Sequence, residues 1–189
     1  MSNGIPFNKI DRTWTLFLDR DGVINVNKKE SYVFNRNEFI WLPGVIEAIA
    51  YLRTIFGKIV VLTNQRGVSK GLMDEPALID IHGFMAELLE ASGAKLDAIY
   101  YCTHGDDTHP DRKPNTGMAM KAKEQFPEID FMKSIMVGDK ESDVLLGKNI
   151  NAYTILISEG PDRSPETRAD AIMFSLMELA DIIRAAQKE

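Results

Sequence analysis

The stretch Trp14-Thr15-Leu16-Phe17-Leu18-Asp19-Arg20-Asp21-Gly22 is an apolar run of strand length that breaks into two acids, a base and a glycine. An unalternating apolar run of this kind suits a strand covered on both faces. The same unit recurs along the chain. Ile59-Val60-Val61-Leu62 is a β-branched run that leads into Thr63-Asn64-Gln65. Leu96 to Cys102 reads as a third strand, Ser134 to Val137 as a fourth that leads into Gly138-Asp139-Lys140, and Tyr153 to Ile157 as a fifth. Ala171 to Phe174 adds a short sixth.

Helical spacing fills the intervals. Val45, Ile49, Leu52 and Phe56 share a face before the stop at Gly57. Asp74 is placed to cap a helix with Leu78, Ile81, Met85 and Leu88 or Leu89 inside it, ending at Gly93. Met118 to Phe126, Glu141 to Lys148 and Leu176 to Ala186 complete the set. Alternation of this kind predicts an α/β, Rossmann-like parallel sheet of five to six strands with helices on both faces, in one domain spanning 1–189. No interval is long enough for a separate cap domain.

Composition narrows the function. A chain of 189 residues with 44% hydrophobic content has enough material for a core. No run approaches the ~18–20 apolar residues of a membrane span, and Met1 to Thr15 does not have the pattern of a secretory leader. Cys102 is the only cysteine, so no intrachain disulfide forms and a reducing cytoplasm is expected. The net charge of −6 speaks against a nucleic-acid surface. It leaves room for a small anionic substrate in a locally basic pocket.

In a parallel sheet, ligands bind beyond the carboxyl ends of the strands, and the polar residues fall there. Asp19 and Asp21 follow the first strand, Thr63 the second and Asp139 the fourth, with Asp143 one turn on and Arg112-Lys113 in the loop after the third. Asp-x-Asp-Gly alone arises by chance in about one chain in twenty of this length. Four elements in this order, each beyond a strand, are a far stronger signal. Together they suit phosphoryl transfer, which needs an in-line nucleophile and cations around the equatorial oxygens. Asp19 is the carboxylate nucleophile. Asp21 is the general acid and base, and Gly22 allows the sharp turn beside it. Thr63 donates to the phosphoryl oxygens, and Lys113 is a fixed charge between nucleophile and phosphate. Mg²⁺ is the expected cofactor, with Asp19, Asp21 and Asp139 as its ligands and Asp143 behind them.

These motifs resemble those of the haloacid dehalogenase superfamily of phosphatases. The likeness extends through Phe17 to Asn25, Tyr32-Val33, Val61 to Gln65, Tyr100-Tyr101-Cys102, Arg112-Lys113-Pro114 and Met136 to Lys140. These stretches are similar to the branch that holds the heptose bisphosphate and histidinol-phosphate phosphatases. The resemblance implies an aspartyl-phosphate intermediate, an open pocket beside a short flap between Gly22 and Pro43, and a bacterial cytoplasmic enzyme. It implies hydrolysis at C7 of D-glycero-D-manno-heptose 1,7-bisphosphate, with histidinol phosphate as the alternative. A polynucleotide 3′-phosphatase and a non-catalytic binding protein stand behind these. The expected partner is a small phosphorylated substrate, with no nucleic acid or membrane, and the expected state is a monomer. The implied substrate contacts are Asn25, Asn64, Gln65, Arg66, Arg112 and Lys140. Arg66 departs from the small polar residue of the pattern, and reads either as an added cation or as a solvated loop arginine.

One loop leaves the pattern. The branch carries a structural zinc on Cys-x-His and a later Cys-x-Cys. Here Cys102-Thr103-His104 keeps the first half and His109-Pro110-Asp111 replaces the second. A zinc on Cys102, His104, His109 and Asp111 is chemically open to the chain. The alternative is a metal-free polar loop.

Overall fold

The computed structural model of the chain describes residues 4–28, 31–158 and 166–188. Six parallel strands form one sheet: β1 (Thr15–Leu18), β2 (Lys58–Asn64), β3 (Ala98–Cys102), β4 (Ser134–Gly138), β5 (Tyr153–Ile157) and β6 (Ala171–Met173). Their spatial order is β3-β2-β1-β4-β5-β6. Four helices connect the first five strands, α1 (Val45–Ile55), α2 (Glu75–Ala91), α3 (Gly117–Gln125) and α4 (Glu141–Asn149), and α5 (Leu176–Ala186) follows β6.

The unalternating strands are explained by two cores. Along β1, Leu16 and Leu18 point to one face and Phe17 to the other, and β2 and β4 divide in the same way. Residues of α1, α2 and α5 pack on the Leu16 face, including Ile49, Met85 and Leu179. Met118 and Ala122 of α3 and Leu146 of α4 pack on the Phe17 face. Every residue of β1 and β4 is buried. Asp74 caps α2 as expected, its side chain accepting from Ala77 N at 2.9 Å.

Some element ends differ from expectation. Strand β2 runs two residues beyond Leu62, because its ladder with β3 continues through Thr63↔Tyr101 and Asn64↔Cys102. Strand β6 stops at Met173, one residue before Phe174, whose backbone N–H goes to Glu178 Oε2 instead. Between β1 and α1 the described residues form only a 3-10 turn at Arg36–Glu38 and isolated bridges through Asn25. Residues 29 and 30 of the expected flap lie outside the described residues.

The strand order reverses at β1, which pairs with β2 on one side and β4 on the other. Leu18 is in register with Val61 and Val137. The residues that follow these three strands therefore meet on one rim, at the switch point where such sheets bind ligands.

Candidate active site

Asp19 prolongs β1, its N–H donating to Val137 O at 2.9 Å. The chain then turns back on itself. Gly22 N donates to Asn25 O and Ile24 N to Arg20 O, both at 2.8 Å. Gly22 has φ +81°, and a Cβ there would fall on the Asp139 carboxylate, so the position needs glycine twice over. Asp19 is 5% exposed. Its Oδ1 receives Arg20 N at 2.7 Å and Lys113 Nζ at 2.9 Å, which fixes the carboxylate's rotation and leaves the lone pairs of Oδ2 open.

Lys113 is buried, donates to Leu62 O at 2.8 Å and forms ion pairs with Asp19 Oδ1 and, at 2.6 Å, with Asp143 Oδ1. Burial alone would lower its pKa, but Asp143 and Asp19 more than offset that and hold the ammonium above its ordinary value. The loop that carries it is held at the end of β2. Asn64 Nδ2 donates to Lys113 O and Lys113 N donates to Asn64 Oδ1, both at 3.1 Å.

Asp139 and Asp143 come from the end of β4 and the first turn of α4. Asp143 Oδ2 accepts from Lys140 N at 3.1 Å and closes the helix start. A Cβ on Gly138 would fall on Asp143. Asn27 Nδ2 donates to Asp139 Oδ2 at 2.7 Å. Asp139 Oδ1 is buried with no hydrogen-bond partner, and Lys140 Nζ lies 3.8 Å away. Ligand oxygens of Asp19, Asp139 and Asp143 lie within 4.8 Å of one another, the only such trio among the described residues. Burial, followed by the charge of Asp19, raises Asp139. Burial pushes Asp143 up to about 7, with Asp19 and Asp139 adding to it against the pull of Lys113. Three carboxylates facing one buried ammonium and, at 3.8 Å, the exposed Lys140 are short of positive charge. An all-oxygen set with an unpartnered, buried carboxylate oxygen fits Mg²⁺.

The side chain of Asp21 stands outside this trio. Its oxygens are turned to Arg20, to Asn25 Nδ2 at 2.9 Å and to Gln65 Nε2 at 3.0 Å. Asp143, expected behind the ligands, lies within the cluster. Burial would raise the Asp21 pKa, but the Arg20 charge and these hydrogen bonds hold it below its ordinary value. Gln65 Nε2 also donates to Thr63 Oγ1 at 3.0 Å. The Thr63 hydroxyl thus accepts from behind and keeps its own proton to donate.

The remaining expected contacts divide. A cavity of about 570 Å³ is lined by Asp21 and Asn64 and, from the flap and its surroundings, by Asn27, Tyr32, Lys28, Lys70 and Lys140. Asn25 is fully buried, and its amide serves Asp21 and Val26 O. Arg66 Nη2 and Arg112 Nε both lie 2.7 Å from Asp107 Oδ1, and neither lines the cavity. Sequence reading missed Asn27, Lys28 and Lys70, whose lining role depends on how the flap folds over. In the loop after β3, His104 and His109 stack with centroids 3.7 Å apart, and His109 Nδ1 lies 3.8 Å from Cys102 Sγ. His109 Nδ1 also accepts from Asp111 N, and Asp111 Oδ2 pairs with Lys121 Nζ. No three of these four residues bring ligand atoms within 4.8 Å of one another, as the aspartates do.

Comparison with known proteins gives a consistent result. A family model described as polynucleotide kinase 3 phosphatase matches residues 15–155. The chain is 33% identical over 199 residues to the D-glycero-β-D-manno-heptose-1,7-bisphosphate 7-phosphatase of Photorhabdus laumondii, covering 100% of each. It is 39% identical over 140 residues to the D-glycero-α-D-manno-heptose-1,7-bisphosphate 7-phosphatase of Mycobacterium bovis, covering 74% of each. Among solved structures it resembles a D,D-heptose 1,7-bisphosphate phosphatase from B. bronchiseptica complexed with magnesium and phosphate. There the TM-score is 0.81 at 29% identity, covering 91% of this chain and 98% of the other.

Proposed function

The chain belongs to the heptose-1,7-bisphosphate 7-phosphatase family, within the haloacid dehalogenase superfamily, and from that premise we propose that it is a Mg²⁺-dependent phosphatase removing the C7 phosphate of D-glycero-D-manno-heptose 1,7-bisphosphate. The observation that carries this reading is the buried array of Asp19, Lys113, Asp139 and Asp143, with Asp21 two residues from the nucleophile. In this reading the chain is one domain, a cytoplasmic monomer, and it meets a small phosphorylated sugar.

Asp19, Asp139 and Asp143 would hold Mg²⁺, which when bound supplies the charge that lets a carboxylate approach a phosphoryl group. Asp19 attacks phosphorus while the bond to the C7 oxygen breaks. Asp21 gives its proton to that oxygen. It is ionised before substrate arrives, and the incoming phosphate dianion is the like charge that raises it, so that it takes up from solvent the proton it then gives. Asp21 then takes a proton from water, whose oxygen attacks the phosphorus of the aspartyl phosphate and frees Asp19. Lys113 holds Asp19 in place and offsets the charge on the transferring group, and Thr63 donates to one of its oxygens.

The second phosphate of the substrate would meet Lys28, Lys70 and Lys140 across the cavity. Arg66 and Arg112 can join them, since Asp107 is largely exposed (79%) and a pair so open to water is worth about 1 kcal/mol or less. Anomer preference separates the relatives, so both anomers belong in the test.

Phosphate release is measured in Mg²⁺ from α- and β-heptose 1,7-bisphosphate, histidinol phosphate and a 3′-phosphorylated oligonucleotide. A heptose bisphosphate should give the highest kcat/KM. Preference for histidinol phosphate or the oligonucleotide overturns the substrate reading and leaves the chemistry standing. No release from any of them overturns both.

A further inference from the structure

Arg20 is a buried arginine (1% exposed) between nucleophile and acid/base, and the chemistry above gives it no task. A buried guanidinium left unpaired costs several kcal/mol, so its partners indicate what it is for. Nη2 lies 2.9 and 3.0 Å from the two oxygens of Asp21, and Nε lies 3.3 Å from Oδ1. On the other side Nη1 lies 3.1 Å from Nε2 of His82, on α2. Arginine only donates, so His82 Nε2 accepts and the ring proton sits on Nδ1. Burial, aided by the Arg20 charge, lowers the imidazole pKa to about 3, which keeps it a neutral acceptor. His82 is itself braced. It packs 5.4 Å from the ring of Tyr101 on β3, and the Tyr101 hydroxyl donates to Glu75 Oε1 at 3.0 Å, in the first turn of α2.

The two oxygens of Asp21 are not equivalent. Oδ1 is engaged by Asn25 Nδ2 and by two nitrogens of Arg20. Oδ2 receives Gln65 Nε2 and a share of Arg20 Nη2, and Gln65 ties it to Thr63. We propose that Arg20, clamped between His82 and Asp21, is a positioning residue that fixes the rotation of the Asp21 carboxylate and makes Oδ2 the oxygen through which the ester proton passes. The proposal rests on the acid/base role given to Asp21 above. Its physical content is orientation: a reacting group misplaced by about 1 Å loses roughly 10²-fold in rate.

Leaving-group dependence separates this role from mere support of the fold. A sugar alkoxide needs a proton to leave, whereas p-nitrophenolate does not. Asp21→Asn is the reference, and turnover is followed with a sugar phosphate and with p-nitrophenyl phosphate in Mg²⁺. In Arg20→Gln, sugar phosphate turnover should fall on the order of 10²-fold, within the usual range for losing acid/base help. The first-turnover release of p-nitrophenolate should stay within about threefold of wild type and appear as a burst, because the later attack by water has lost its base. His82→Leu should move the same way by roughly fivefold. His82→Gln should restore wild-type behaviour, since an amide oxygen still accepts from Arg20.

Equal loss on both esters, or no loss on the sugar phosphate, overturns the clamp. Should Arg20→Gln not fold, the His82 pair decides alone. A leucine variant with unchanged or uniformly lowered rates overturns the proposal, and a selective loss restored by glutamine supports it. Wild-type protein that hydrolyses neither ester overturns the acid/base reading and the clamp with it, a result distinct from an active wild type with uniformly impaired variants.

Discussion

Gly22 shows how tightly single residues are specified here. An alanine would have to adopt φ +81° and place its Cβ on the Asp139 carboxylate. The backbone term alone costs about 1–2 kcal/mol, and the clash moves a proposed metal ligand. Gly22→Ala should lower the thermal midpoint and weaken Mg²⁺ binding at least tenfold, read by a melt and a metal titration; unchanged Mg²⁺ affinity would count against Asp139 as a ligand. Asp19→Asn keeps the shape and removes the charge, and Mg²⁺-dependent phosphate release should be abolished. Retained turnover would remove Asp19 as nucleophile. At this scale the sequence exposed Asp19, Asp21, Thr63, Lys113 and Asp139, because chemistry-bearing residues just beyond strands stand out against apolar runs. It did not expose Asn27 or the Arg20–His82 contact. Those depend on side-chain direction and on a helix brought alongside 62 residues later, which no local pattern encodes.

Elements hold the site through their ends. Asn64 is the last residue of β2, and its amide fastens both the N–H and the C=O of Lys113. Two hydrogen bonds of ordinary strength are worth about 2 kcal/mol together. Asn64→Ala should therefore free the loop 103–116, raise its hydrogen exchange and lower kcat by roughly tenfold, with the exchange of β1 and β4 unchanged. Slower turnover without faster exchange in the loop would instead assign Asn64 to substrate. The sequence made the strands legible because both faces of the sheet are covered. It placed the ends of β2 and β6 one or two residues off, since those ends depend on which neighbour continues the ladder. It read the loop after β3 by its metal-ligand residue types. In the folded loop Cys102 Sγ lies against His109 Nδ1, which accepts from Asp111 N, and Asp111 Oδ2 pairs with Lys121, contacts that residue types alone do not reveal.

The whole molecule gathers negative charge at the switch point of its sheet, and its stability should record this. Asp143, pushed up to about 7, and Asp139, also raised, bind protons more tightly folded than unfolded. Their contribution is full below the unfolded carboxylate value near 4 and is lost as pH rises through the folded value. Asp21 is lowered, so its contribution is present above that unfolded value and lost only as pH falls below it. Lys113 is raised and stays charged across this range. His82, with its pKa held down at about 3, works against the raised pair here, because the unfolded imidazole takes up a proton as pH falls through 6.5. The melts are therefore made on His82→Gln, which removes that opposing titration, and metal-free protein should then melt at lower temperature at about pH 7.5 than at about pH 5.5. Mg²⁺ competes with protons for the same oxygens. Its stabilisation, about 2.7 kcal/mol at a hundredfold excess over Kd, should therefore be larger at the higher pH and flatten the profile. Melts with chelator and with Mg²⁺ at both values test this. A metal-free midpoint that holds or rises with pH, or a Mg²⁺ shift of equal size at both, would mean that the three carboxylates do not share one buried field and that the metal is held elsewhere.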